Sequence, residues 1–163
     1  MDLPKRKPTR LKNYDYSQNG YYFITICSQN KAKIFGNIVG EGSPLPKLSF
    51  CGKIVENAIL SVNEKYPFVY PEKYVIMPNH IHIIFSVSND GRGNPSPTLA
   101  NIVGWLKYKT TKQINSITGN IGNKIFQRSF HDHIIRGERD FLEIWNYIDE
   151  NPQKWEDDEL YNI

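Results

Sequence analysis

The chain has 163 residues, of which 39% are hydrophobic, 23% charged and 13% aromatic, and its net charge is +3. That length suits one domain with a proper core, and the balance excludes a disordered polymer. No apolar run approaches the length of a membrane span, and the mild positive charge leaves nucleic acid open as a partner without requiring it.

In chain order, residues 1–19 form a basic arm, MDLPKRKPTRLKNYD at its start, without the apolar core of a signal peptide, which points to the cytoplasm. GYYFITICSQN is aromatic and β-branched and predicts a first strand. KIFGNIVGEGSPLPKLS is rich in turn formers and predicts a short ribbon and loop. Ile54, Val55, Ala58, Ile59 and Val62 recur at helical spacing, predicting a first helix closed by Pro67. YVIMPNHIHIIFSV divides at MPN into two strands or runs as a single long bulged strand, and SNDGRGNPSP is a loop. Ser96 and Pro97 then start a helix with the stripe Leu99, Ile102, Val103 and Leu106. KIFQRSFHDHIIR reads as a further strand, and GERDFLEIWNYIDENP as a last helix with the stripe Phe141, Ile144, Trp145 and Ile148. Strand, helix, strand, strand, helix, strand, helix is the order of an α+β, ferredoxin-like split βαβ sandwich: an antiparallel sheet with helices on one face, plus a C-terminal helix. Cys27 and Cys51 are too few and too far apart for a disulfide framework or a thiolate zinc site, so both are expected to be reduced.

The histidines carry the chemistry. They form two pairs in H-x-H spacing, His80 with His82 and His131 with His133, each within a predicted strand. Alternation puts His80 and His82 on one face with Ile84, and Ile81, Ile83 and Phe85 on the other. Two adjacent imidazoles can chelate a cation or satisfy local hydrogen bonds, and spacing alone does not say which pair is special. On the last helix Tyr147 and Asn151 are four residues apart, hence one above the other at the border of the apolar stripe. Basic residues cluster as Lys5, Arg6, Lys7 and Arg10, and again as Lys107, Lys109 and Lys112. Interleaved with tyrosines, they suit phosphate contacts and base stacking, although such clusters are more often solvated faces.

MPNHIHIIF resembles the H-U-H motif (histidine, hydrophobic residue, histidine) of single-strand DNA endonucleases. YIDENP, following SFHDHIIR, resembles the tyrosine motif of the IS200-like (Y1) transposases. The Y-x-x-x-N-P form and FHDHIIR look most like the REP-associated tyrosine transposases, and the resemblance spans Gly20 to Trp155. Position 81 is hydrophobic whereas position 132 is Asp, so His80 and His82 match the motif and His131 and His133 do not.

The resemblance implies His80 and His82 as metal ligands, Tyr147 as nucleophile and Asn151 as a third ligand. It implies Mg²⁺ or Mn²⁺ as cofactor, although imidazoles alone would favour zinc. The implied reaction is cleavage and rejoining of single-stranded or hairpin DNA through a covalent 5′-phosphotyrosine. The N-terminal arm and Lys107, Lys109 and Lys112 are the expected DNA contacts. Family members can dimerise, and the short RGERD loop leads us to expect Tyr147 to reach its own chain's histidines; both monomer and homodimer stay open. The contrasting reading is a non-catalytic single-stranded nucleic-acid-binding protein on the same scaffold, against which no RNP-like aromatic signature is present. A cyclic-phosphate hydrolase would need two H-x-[ST] motifs, and neither pair supplies one.

Overall fold

The computed structural model describes residues 19–39, 45–89 and 96–161, so the basic cluster Lys5, Arg6, Lys7 and Arg10 lies outside the described residues. Strand β1 (Gly20–Cys27) leads to a two-stranded ribbon, β2 (Gly36–Asn37) and β3 (Lys47–Leu48). Helices α1 (Phe50–Leu60) and α2 (Val62–Lys65) follow, then β4 (Val69–Ile76) and β5 (His80–Val87). Helix α3 (Leu99–Thr118), β6 (His131–Ile135) and α4 (Gly137–Glu150) complete the order.

The main sheet runs β4-β5-β1-β6, with every neighbouring pair antiparallel. The connection through α1 joins β1 to β4 with β5 between them, and that through α3 joins β5 to β6 with β1 between them. This is the split βαβ topology that the element order predicts. Tyr22, Ile24 and Ile26 of β1 and Ile81, Ile83 and Phe85 of β5 pack against Ile54, Val55 and Ile59 of α1 and Ile102, Val103 and Leu106 of α3. The opposite face carries a second cluster, Val75, Met77, Ile84, Ile135, Ile148 and Trp155, under α4.

Three local readings differ from expectation. The first helix breaks at Ser61, whose hydroxyl donates to the Ala58 carbonyl, so α1 and α2 are separate pieces. Helix α3 begins past Pro97, because Thr98 is the cap whose hydroxyl oxygen accepts from the Asn101 N–H at 3.2 Å. The predicted strand over KIFQRSFHDHIIR is a strand only at His131–Ile135, preceded by an isolated bridge between Ser28 and Phe126. The intervening carbonyls have another partner: Lys107 Nζ donates to Gln127, Arg128 and Ser129 at 2.8, 3.3 and 3.1 Å.

Helix α1 is seated against the ribbon by Gly52, where an added Cβ would stand 2.0 Å from the Phe35 carbonyl oxygen. That oxygen accepts from the Ser49 N–H at the cap of α1 and cannot move freely. Gly52→Ala is therefore expected to destabilise the protein by about 3 kcal/mol or more. Gly104→Ala, on the exposed face of α3 with nothing within 4 Å, is expected to stabilise it by about 0.5 to 1 kcal/mol. Urea unfolding of the two variants beside the parent checks both signs.

Candidate active site

Strand β5 is buried on both faces, so its histidines have to be satisfied inside the protein. His80 is 0% exposed and His82 4%, and their rings meet edge to face at 4.7 Å. His80 Nδ1 lies 2.8 Å from Asn79 Oδ1, which can only accept, so Nδ1 carries the proton. His82 Nδ1 lies 2.8 Å from Thr25 Oγ1 on the neighbouring strand, where Thr25 and His82 are register partners. The Nε2 atom of each ring is buried without a hydrogen-bond partner. Burial pushes His80 down to about 4, against the opposing pull of Asp158 and Asn151. Burial, with the charge of His80 adding to it, holds His82 well below the ordinary histidine range. Both imidazoles are thus neutral at pH 7, each with a free nitrogen.

Helix α4 crosses this face from one sheet edge to the other. At its start, Gly137 takes φ of +85°, a left-handed turn that glycine adopts without strain, straight after Arg136. There Asp140 accepts from the Arg136 N–H and contacts His133 Nε2 at 2.8 Å, and Phe141 packs on Tyr21 of β1. At the far end Lys73 of β4 pairs with Asp149 and sits 4.7 Å over the Trp145 ring. Between these anchors Tyr147 stands over the histidines of its own chain, with ring centroids 5.3 Å from His82 and 6.1 Å from Phe23. It is 48% exposed, so one edge meets the imidazole while solvent reaches the rest. Burial raises the Tyr147 phenol above its ordinary value, the Asn151 side chain works against that rise, and the charges of Asp158 and Glu159 add to it.

Asn151 keeps helical backbone angles, φ −57° and ψ −44°, despite the proline that follows. Its side chain is 5% exposed and its amide oxygen is buried without a partner. The structure therefore brings His80, His82, Tyr147 and Asn151 together. It adds Asp158, from the segment after α4, whose Oδ2 lies 3.6 Å from His80 Nε2. His80, His82 and Asp158 each offer a ligand atom within 4.8 Å of the others. Thr25, Asn79 and Asp158 were not singled out from the sequence; an acidic residue in KWEDDEL and a threonine in a strand carry no signal until the chain is folded.

The other expected residues lie elsewhere. Thr25 is the register partner of both His82 and His131, so His131 shares the sheet face of the site, but it and His133 are exposed on β6. Helix α3 packs on the sheet face opposite the histidines. There Lys107 serves the 127–129 carbonyls, Lys109 donates to Ser61 Oγ at 2.8 Å, and Lys112 lies 5.7 Å from the Tyr108 ring.

The structure thus sets a helix-borne tyrosine over a strand-borne histidine pair on a split βαβ sheet. The chain belongs to the IS200-like transposase family, whose model matches residues 16–151. An uncharacterized protein of Haemophilus influenzae is 36% identical, covering 96% of this chain and 93% of that protein. A candidate REP-associated tyrosine transposase of the same organism is 25% identical over 88% of this chain and 77% of its own length. Among solved structures, a REP-associated tyrosine transposase bound to a REP hairpin shares the fold at TM-score 0.63 and 19% identity, over 89% of this chain and 73% of that one. A candidate transposase from Deinococcus radiodurans matches at TM-score 0.53 and 12% identity, over 86% and 97%. Among the described residues no helix is long and apolar enough to cross a membrane.

The depressed histidines give a signed pH dependence. Unfolded, a histidine takes up its proton near pH 6.5; folded, His80 does so near 4. Between those values the unfolded state binds more protons, so stability is full above pH 6.5 and falls as the pH drops towards 4. His80 alone is expected to remove about 2 kcal/mol between pH 7 and pH 5. Urea midpoints at the two pH values measure the loss, and a His80→Asn, His82→Asn double variant should show a flatter dependence.

Proposed function

We propose that the protein is a metal-dependent endonuclease and strand transferase for single-stranded DNA, working through a covalent 5′-phosphotyrosine on Tyr147. The observation that carries this reading is the pair of unpartnered, neutral Nε2 atoms buried beside an accessible tyrosine of the same chain. Such a donor set fits a divalent cation. The outer nitrogens are fixed by Asn79 and Thr25, which sets the ring orientations, as in metal sites generally. His80 and His82 would hold the ion with the Asn151 amide oxygen, and that hard donor favours Mg²⁺ or Mn²⁺ over a purely imidazole preference for zinc. When bound, the ion supplies neutralisation of a non-bridging phosphate oxygen.

The remaining chemistry belongs to the chain. Helix α4 holds the Tyr147 oxygen at the site so that attack is effectively unimolecular. A bond forms from that oxygen to phosphorus, the 3′ oxygen of the upstream strand leaves, and the downstream strand stays on the enzyme through its 5′ phosphate. The phenol, kept protonated at rest by burial, gives its proton up to solvent as it attacks, and the departing 3′ oxygen takes one up to leave as a hydroxyl, so the step is proton-neutral. Attack by another 3′ hydroxyl reverses the step and joins a strand.

The relative bound to a REP hairpin supports folded single-stranded DNA as the substrate class. The N-terminal arm, at Lys5, Arg6, Lys7 and Arg10, is the better source of backbone contacts, because Lys107 and Lys109 already have protein partners. Neutralising those arm residues together is expected to weaken DNA binding at least about tenfold at low salt and to flatten its salt dependence. Unchanged affinity would remove the arm from the interface.

The decisive experiment mixes the protein and Mn²⁺ with 3′-labelled single-stranded oligonucleotides from the flanks of its own gene on a denaturing gel. Label should migrate with the protein, vanish with Tyr147→Phe, and vanish with His80→Ala or His82→Ala while circular dichroism stays native. Thr25→Val, which frees the His82 ring, should slow adduct formation about 10- to 100-fold. DNA binding without any adduct, across metals and flanking sequences, would favour the non-catalytic binding protein.

A further inference from the structure

The chain beyond α4 returns to the site and is held there by contacts unrelated to the tyrosine. Trp155 is buried in the cluster under α4, with its ring tilted against His80 at 5.9 Å. Tyr161 meets Trp155 edge to face at 5.2 Å, and Lys33 Nζ lies 4.6 Å from the Tyr161 ring centroid and 5.6 Å from that of Trp155. The segment is clasped by one side chain in particular. Asn79, fully buried in the turn between β4 and β5, donates from Nδ2 to the Leu160 carbonyl at 2.7 Å while its Oδ1 accepts from His80 Nδ1.

Asp158 sits inside that loop with its two carboxylate oxygens in different surroundings. Oδ1 accepts from the Leu160 N–H at 2.8 Å, whereas Oδ2 faces His80 Nε2 at 3.6 Å, too long for a hydrogen bond. The Asp158 side chain is only 9% exposed. A largely buried carboxylate that stops short of an unpartnered imidazole nitrogen is costly unless a charge lies between them. Donors about 2.1 Å from a shared cation stand about 3 to 4 Å apart.

We propose that Asp158 is a ligand of the metal site, supplied by the segment after the tyrosine helix, and that Asn79 is a positioning residue that orients His80 and fastens that segment. The inference rests on the metal-site reading above. Metal loading and docking of residues 155–161 are then coupled: whatever favours one favours the other by the same factor. The carboxylate also gives the site a charged oxygen donor, which moves its preference towards Mg²⁺ and Mn²⁺ and away from zinc.

The test is calorimetric titration of the full chain with Mn²⁺ alone, without DNA, joined to amide hydrogen exchange of residues 155–161. Asp158→Asn keeps the shape and is expected to weaken Mn²⁺ at least about tenfold and to widen its disadvantage against Zn²⁺. In the parent, Mn²⁺ should slow exchange in the segment; in Asp158→Asn it should not. Asn79→Asp, which keeps an acceptor for His80 but removes the donor to Leu160, should speed exchange in the segment and weaken Mn²⁺. If Asp158→Asn binds Mn²⁺ as the parent does while His82→Ala does not, the proposal is overturned and the histidine site stands. If Asp158→Asn binds more tightly, the segment is a plug over the site, and the proposal is again overturned. If the parent and His82→Ala bind alike, the ion is elsewhere and both readings fall.

Discussion

Two imidazoles buried side by side on one sheet face set the terms for everything around them. Each ring has two nitrogens, and in this interior each can satisfy one: Nδ1 on Asn79 for His80 and Nδ1 on Thr25 for His82. Leaving a buried polar atom unpaired costs about 1 to 3 kcal/mol, and the fold carries that cost twice at adjacent positions. Protonation would relieve nothing, since a buried charge is dearer still, which is why both rings titrate low. The arrangement leaves two neutral nitrogens side by side in the interior without a hydrogen-bond partner.

Placement of the tyrosine is a packing result before it is a chemical one. The polar contacts that tie α4 down, the Lys73–Asp149 ion pair and the His133–Asp140 hydrogen bond, are partly solvated and contribute little by themselves. The stripe Phe141, Ile144, Trp145 and Ile148 does the seating, with Ile148 inserted into the cluster shared with Ile84 and Trp155. Tyr147 adjoins Ile148 but points off the stripe, so its ring is half covered by Phe23 and His82 and half open. That border position leaves the ring anchored on one side and open to solvent on the other.

How far this was legible in the sequence follows from the range of each interaction. Strand alternation is local, so the partition of His80, His82 and Ile84 from Ile81, Ile83 and Phe85 could be read directly, and the clusters divide these apolar residues as predicted. Helical spacing likewise paired Tyr147 with Asn151. Asn151 keeps helical backbone angles at the end of that helix although Pro152 follows, and its side chain is buried. Burial, which depends on the whole fold, is also what separates the inner histidine pair from His131 and His133. Thr25, Asn79 and Asp158 act across separations of 57, 1 and 78 positions from the histidines they serve. Register and chain return create the first and last of these contacts, and no periodicity announces them. The same holds for Lys107, which looks like a solvent-facing cation in a basic helix and instead replaces a strand partner for three carbonyls.

The two faces of the sheet divide the work. The face under α1 and α3 is apolar throughout β1 and β5, while the face under α4 mixes polar donors with a smaller apolar cluster. Strand β5 belongs to both, which makes its register the critical quantity. A slip of one residue would turn His80 and His82 into the α1 and α3 core and carry Ile81 and Ile83 to the tyrosine. Pairing along the full length of β1, and again with β4 on the other side, opposes that slip. The bulge between Pro71 and Lys73 absorbs the irregularity in β4 rather than in β5. A central strand locked between two long partners is thus the element best able to hold a pair of side chains in fixed directions, and the edge strand β6, with its exposed histidines, is not.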